Sequence, residues 1–271
     1  PEAVVVPQET ITAPVTTSDG TVLISRDKFF KFLNSLKLIE NSCNDCHIVD
    51  GWVRQKTFDR QAIIEIDLSS ILSGSEFAIS LLKQKISLLK SFELDDNVAI
   101  DDQNMIMQTT EHYYIFKDSL SDMRFKIPIL DYLENKYIAP DEFSSIITCT
   151  DDKLVFSTEI DSYIAKRIRS ICEGIRNEAV RCDFRGSTAT LTVSQTTGEN
   201  SSVVVKDIVL NRQIEGKHFK VVALAFMRDL PSDVSFSVYQ KSDSVFLCRF
   251  EQKYYDIPIR TYSQVELMDG N

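Results

Sequence analysis

Cys43, Cys46 and His47 form a C-x-x-C-H pentad, a spacing that can attach a c-type haem. With a second cysteine pair, the same residues could seat a tetrahedral zinc ion. The rest of the chain supports neither chemistry. The other cysteines are 149, 172, 182 and 248, all far apart, and the other histidines are 112 and 218. No second pair completes four ligands. Residues 1–20 show no basic start and no long apolar core, so no export signal accompanies the pentad. Cys43 and Cys46 are read as structural thiols where a helix ends and a strand begins, in a reducing compartment. No metal and no cofactor are expected.

The glycines exclude other chemistry. They stand at 20, 51, 74, 174, 186, 198, 216 and 270, never closer than twelve residues apart. A phosphate-cradling loop needs clustered glycines so that backbone N–H groups can approach the anion. Neither G-x-S-x-G nor H-E-x-x-H occurs. No catalytic residue is assigned, and the chain is expected not to be an enzyme. A triad assembled only in space would leave no trace in the sequence.

These residues must be positioned by elements that repeat. Thr21-Val22-Leu23-Ile24-Ser25, followed by a helical stretch, resembles Lys153-Leu154-Val155-Phe156-Ser157 and its own helical stretch. Asp27 and Asp161 are candidate N-caps. Asn97–Ile100 parallels Asp233–Phe236, and Phe125–Ile129 parallels Tyr255–Ile259, at similar offsets. Each repeat reads strand, helix, strands, helix, strands, which is an α+β pattern. Alternation such as Ala189, Leu191 and Val193 between threonines marks half-buried strands. The expected organisation is an arm over 1–20, one domain over 21–129, a connector over 130–150, a second domain over 151–265 and a tail over 266–271.

The chain of 271 residues carries a net charge of −10, which alone argues against a nucleic-acid partner. The charge is unevenly placed. Helices predicted at 26–40, 76–93, 161–178 and 215–229 hold 14 of the 30 basic residues and only 9 of the 40 acidic ones. In the third, Ile164, Ile168, Ile171 and Ile175 form a buried stripe, and Lys166, Arg167, Arg169 and Arg176 are its cations. In the fourth, Lys217, Lys220 and Arg228 lie off the stripe made by Phe219, Val222, Ala223 and Phe226. Lys83 and Lys90 line up with Ser87 in the second, with Lys85 nearby. Lys28 and Lys31 are neighbours in the first. These twelve cations are the candidate contacts to a polyanion. No helix-turn-helix or base-reading cluster is present, so phosphate contacts independent of sequence are expected.

Two repeats with this order resemble the DNA sliding clamps of the proliferating-cell nuclear antigen and T4-phage types. The resemblance covers roughly 21–265. It rests on repeat order, on Lys253-Tyr254-Tyr255-Asp256-Ile257-Pro258-Ile259, which is similar to the K-Y-Y-L-A-P-K-I ending of such clamps, and on Cys46–Gly51 leading to Ala62–Ile66, which resembles their first hairpin. Asp256 departs from the apolar residue of that ending. The resemblance implies a homotrimeric ring with helices around duplex DNA, a polymerase and a clamp loader as partners, and no membrane. It also implies a pocket for partner peptides at Tyr137, Ile138 and Pro140 of the connector with Tyr255, Ile257 and Pro258. A cytoplasmic or nuclear site and a phage or viral source would fit it. A clamp-like subunit that binds DNA without closing a ring remains open, as does a two-domain viral structural protein or enzyme.

Overall fold

The computed structural model describes residues 15–16, 21–57, 60, 62–72, 74, 76–92, 104–119, 123–130, 137–175, 179–185, 188–194, 200–205, 209–210, 217–222, 232–243 and 245–269. The first repeat runs β1 (Val15–Thr16), β2 (Thr21–Ser25), α1 (Arg26–Lys37), β3 (Cys46–Val49), β4 (Trp52–Lys56), β5 (Ala62–Asp67), α2 (Ser69–Leu72), β6 (Glu76–Ile79), α3 (Leu82–Leu89), β7 (Asn104–Thr109), β8 (Tyr113–Asp118) and β9 (Arg124–Pro128). The connector contains α4 (Pro140–Ile146). The second repeat runs β10 (Leu154–Ile160), α5 (Ser162–Ile175), β11 (Ala179–Arg185), β12 (Thr188–Ser194), β13 (Asn200–Val205), β14 (Val209–Leu210), β15 (Lys217–Val222), β16 (Val234–Gln240), β17 (Val245–Tyr254) and β18 (Ile257–Asp269).

The pairing of the strands shows the duplication. In the first repeat the sheet orders are β2-β7-β8-β9 and β6-β3-β4-β5. In the second they are β10-β16-β17-β18 and β15-β11-β12-β13. Position for position these orders are the same, and every pairing among the described residues is antiparallel. The repeats are joined where β5 pairs with β18, Ile64 opposite Thr261. Farther along, β18 pairs with β15, Phe219 opposite Leu267. The outermost strands of the two sheets include β9 and β13.

Apolar alternation explains the layering. Val22 and Ile24 of β2 face inward while Leu23 is 37% exposed, as a strand with one buried face requires. They meet Phe29, Phe32, Leu33 and Leu36 of α1, spaced so that one face of the helix is covered. The same core takes in Met105 and Met107 of β7 and Phe116 of β8.

Several expectations change. Ser25, not Asp27, caps α1, its hydroxyl accepting from the N–H of Lys28 at 3.3 Å. Asp161 does cap α5, accepting from the Tyr163 N–H at 2.7 Å. Residues 76–79, expected to open a helix, are strand β6, with Phe77 opposite Ile48. Residues 217–222, expected as helix, are strand β15. The sequence Lys-His-Phe-Lys-Val-Val has aromatic and β-branched side chains that suit a sheet, and β11 and β18 flank it with open hydrogen-bonding groups. The connector is not wholly extended, since α4 begins at Pro140, whose fixed φ and missing N–H suit a first helical position. Val15–Thr16 of the expected arm pair with β2, and β18 extends to Asp269, into the expected tail.

Candidate nucleic-acid interface and connector surface

The cations follow from the buried stripes. On α3, Leu82, Ile86 and Leu89 are buried at i, i+4 and i+7, which leaves Lys83 exposed and Lys85 partly so. The helix starts where it does because Asn44 and Asp45 hold its entry: the Leu82 N–H donates to the Asn44 carbonyl at 2.6 Å and the Leu81 N–H to Asp45 Oδ1 at 3.1 Å. Lys90 lies in a single 3₁₀ turn that follows. On α1, which packs against α3, Lys28 and Lys31 are both partly exposed. On α5, Ala165 is buried, and Lys166 and Arg167 are exposed beside it. Ile164 of the expected stripe is half-buried.

These cations are not equivalent. Lys31 Nζ lies 2.8 Å from Asp27 Oδ2 and 5.2 Å from the centre of the Tyr255 ring. The hydrogen bond to Asp27 is the main cause that holds its ammonium above the ordinary lysine pKa. Its charge is largely answered within the protein. Lys217 and Lys220 belong to strand β15, opposite Asp269 and Arg181, so they do not sit on a helix with the others. The Arg169 side chain and all of Arg176 and Arg228 lie outside the described residues.

The connector is docked by a cluster that the sequence did not announce. Ile138, 5% exposed, packs with Ile63, Phe143, Tyr239, Leu247 and Tyr262. Its N–H donates to the Arg54 carbonyl at 2.7 Å. The Arg54 guanidinium lies 4.2 Å from the Trp52 ring centre and 5.1 Å from that of Phe143, and Nη1 donates to the Tyr137 hydroxyl at 3.4 Å. Glu65, almost wholly buried, accepts from Arg260 Nη1 at 2.8 Å beneath this layer. Arg260 also bonds to Glu251 at 3.0 Å. Burial pushes the Tyr262 phenol and the Cys149 thiol up, the latter to about 11. A cavity of about 590 Å³ opens beside the connector, lined by Lys56, Thr57, Arg60, Tyr137, Ile138 and Glu142 among others.

The six residues expected to form a peptide pocket divide between two places. Tyr137 and Ile138 lie in the layer just described, and Pro140 is exposed at the start of α4. Tyr255 is 66% exposed in the turn between β17 and β18, beside Lys31. Ile257 is buried in the core of the first repeat, and Pro258 is half-buried opposite Lys253. The Lys253–Ile259 stretch thus straddles a hairpin turn. The residue of the last strand that meets the connector is Tyr262.

The C-x-x-C-H residues fold as local structure. Cys46 and His47 open β3, and Cys43 and Cys46 are both buried. Burial, with Cys43 next in effect, pushes the Cys46 thiol well up. His47 Nε2 lies 2.9 Å from Glu76 Oε1, and its ring meets Tyr137 edge-on at 5.9 Å. Among the described residues, no three His, Cys, Asp or Glu side chains are grouped to hold a metal ion, and no helix is long and apolar enough to cross a membrane.

No family model matches the sequence, and no curated protein does. Solved structures do match in shape. The proliferating cellular nuclear antigen of Entamoeba histolytica superposes with a TM-score of 0.59 at 11% identity, over 91% of this chain and 98% of that one. A chain of the PCNA2–PCNA3 complex of Sulfolobus tokodaii gives 0.57 at 14% identity, over 90% and 98%. The A. fulgidus PCNA structure with the C-terminal region of FEN-1 bound gives 0.59 at 10% identity, over 92% and 99%. The chain has the fold of the PCNA sliding clamps along nearly its whole length.

Proposed function

We propose that this protein is a DNA sliding clamp: a ring of identical chains that encircles duplex DNA, tethers replication proteins and carries out no reaction of its own. One observation supports this most. Within the chain, β5 at the edge of one repeat pairs with β18 at the edge of the next. Because the two repeats share one strand order, the counterparts of β5 and β18 are β13 and β9, and these lie at the ends of the sheets. The junction used inside the chain is therefore available again between chains, β13 of one protomer against β9 of its neighbour. Such head-to-tail contacts close into rings when the rotation permits, and closure removes exposed strand edges. We take the ring to be a trimer, giving six repeats.

In that ring, α1, α3, the turn after it and α5 present Lys28, Lys83, Lys85, Lys90, Lys166 and Arg167 to the phosphates. Topological enclosure needs only weak, sequence-independent contact, which suits a few separated cations on an acidic protein. Polymerase and clamp loader would dock through peptide segments at the connector. The A. fulgidus neighbour, which binds a C-terminal region of FEN-1, supports that mode of partnership, and the S. tokodaii complex of two PCNA chains supports assembly between such chains.

Solution mass by light scattering over a range of concentrations tests the ring. The expected mass is three times the 30.9 kDa of one chain. A monomer at the highest concentration would refute the ring and leave the basic helices as an open DNA-binding face.

A further inference from the structure

The first sheet of an acidic protein carries a basic face. In β1, β2, β7, β8 and β9 the one acidic residue is Asp118, which is buried and paired with Arg26. The cations of these strands are Lys117, Arg124 and Lys126, and all three are exposed. No ion pair answers them among the described residues. Val22, Ile24, Met105, Met107, Tyr114 and Phe116 are buried, so the residues between them point to solvent. Leu23, Ile106, Lys117 and Arg124 form one row across four strands, and Thr21, Gln108, Ile115 and Lys126 form the next. The face is thus apolar over β2 and β7 and basic over β8 and β9.

Two features set it apart. Lys117 stands directly opposite Arg124, with Lys126 one diagonal step away. Like charges so placed repel, and no carboxylate on the face relieves them. The second feature is the contrast with the equivalent sheet of the second repeat. There the signs are mixed, and Arg260 bonds to Glu251 at 3.0 Å. Its apolar side chains Tyr239, Leu247 and Tyr262 are covered by Ile138, Phe143, Ile146 and Ile147 of the connector. The first sheet has no such cover among the described residues, since Leu23 is exposed and Ile106 and Ile115 are half-buried.

We propose that the solvent face of β2-β7-β8-β9 docks an acidic amphipathic helix of a partner protein. The helix lies along β7 and β8, its aliphatic stripe on Ile106 and Ile115 and its carboxylates against Lys117, Arg124 and Lys126. The dimensions agree. Strands about 4.8 Å apart make a four-strand face roughly 15–20 Å wide, and a helix with its side chains is about 10 Å across. A helix centred on β7 and β8 therefore reaches Leu23 on one flank and the cations on the other. A nucleic-acid strand fits less well. It would use the cations but leave the aliphatic row wet. Stacking platforms for bases also need several aromatic rings, and the exposed ring on this face is Tyr113, with Lys126 Nζ 5.6 Å from its centre. The face belongs to one chain, so the proposal does not rest on the clamp reading.

The test titrates the full-length protein, at low salt, with a fluorescein-labelled peptide of three Leu-Glu-Ala-Leu-Glu-Glu-Ala heptads, read by anisotropy. A parallel titration uses labelled oligothymidylate. The peptide is expected to bind the wild type, more weakly as salt rises. Arg124→Glu should weaken it by about tenfold or more. The same change sets opposite charges across the pair with Lys117, so the thermal midpoint should hold or rise, which keeps loss of binding distinct from loss of fold. A peptide with serine in place of every leucine should bind the wild type about tenfold more weakly, since it has no aliphatic stripe to bury. Lys83→Ala, on α3, should leave the peptide's affinity unchanged. The proposal is overturned if the peptide does not bind, if Arg124→Glu binds it as the wild type does, or if the leucine and serine peptides bind alike. It is also overturned if oligothymidylate alone binds and loses affinity in Arg124→Glu, which would make this a nucleic-acid face. None of these results depends on ring formation, so failure here leaves the clamp standing, and a monomeric mass leaves the docking face standing.

Discussion

Arg26 opens α1 and would pass, in the sequence, for one more surface cation on a basic helix. It is 4% exposed. Its guanidinium bonds to the carbonyl of Phe92 and pairs with Asp118 at 2.7 Å, with the Asp118 side chain equally buried. The pair ties the start of α1 to β8 and to the turn after α3. Removing one member strands the other charge in the core, which typically costs about 3–5 kcal/mol. Asp118→Asn should therefore lower the urea midpoint strongly, and Arg26→Met should do the same. Exchanging both for apolar residues should cost less than either single change. Of the basic residues in the predicted helices, Arg26 is thus paired with Asp118, and among the twelve candidate contacts Lys31 is paired with Asp27. Charge is legible in a sequence. Its partner, when far along the chain, is not.

At the scale of elements, the turn between β3 and β4 shows how little freedom some positions have. Asp50 and Gly51 both have positive φ, 51° and 77°. A Cβ on Gly51 would lie 2.7 Å from the Cα of Ser69 and 2.9 Å from its N, both backbone atoms that cannot swing aside. Gly51→Ala combines an unfavourable dihedral with this clash. It should lower stability by about 2 kcal/mol or more, read as a lower thermal midpoint, and Asp50→Ala should cost less. The first hairpin was legible through the resemblance of Cys46–Gly51 leading to Ala62–Ile66, and its turn is built on Asp50-Gly51, a pair that suits a tight turn. The region after Glu215 was misread for a physical reason. Phe219, Val222, Ala223 and Phe226 repeat at helical spacing, yet Lys217–Val222 also alternates well enough to fill the place between β11 and β18. A six-residue window satisfies both periods, and the sheet decides. The connector layer was half-legible: Tyr137 and Ile138 stood out, but Arg54, Phe143 and Tyr262 converge on them only in space.

For the whole molecule, the internal duplication was legible because the landmarks at Thr21–Ser25 and Lys153–Ser157 and at Phe125–Ile129 and Tyr255–Ile259 keep one order, while Asn97–Ile100 lies outside the described residues. It makes the distribution of charge testable. Lys83→Ala, Lys166→Ala and Arg167→Ala should each weaken binding to duplex DNA and reduce the slope of log K against log salt by about 0.9 per lost phosphate contact. Lys31→Ala should change the slope less, since Asp27 and Tyr255 already hold its ammonium. Slopes unchanged from the wild type in Lys83→Ala, Lys166→Ala and Arg167→Ala would mean that these helices do not face the phosphates.

The long strand β18 has a further consequence. It pairs with β5 of the first repeat along one part of its length and with β15 of the second along another. Glu65 and Arg260, bonded across this seam, stand 195 residues apart. Contacts this distant slow folding, because loop closure must precede their reward. During synthesis the first repeat leaves the ribosome with the β5 edge unsealed until β18 emerges. The duplicated halves are then not two independent folding events, since the seam between them closes only when β18 is in place.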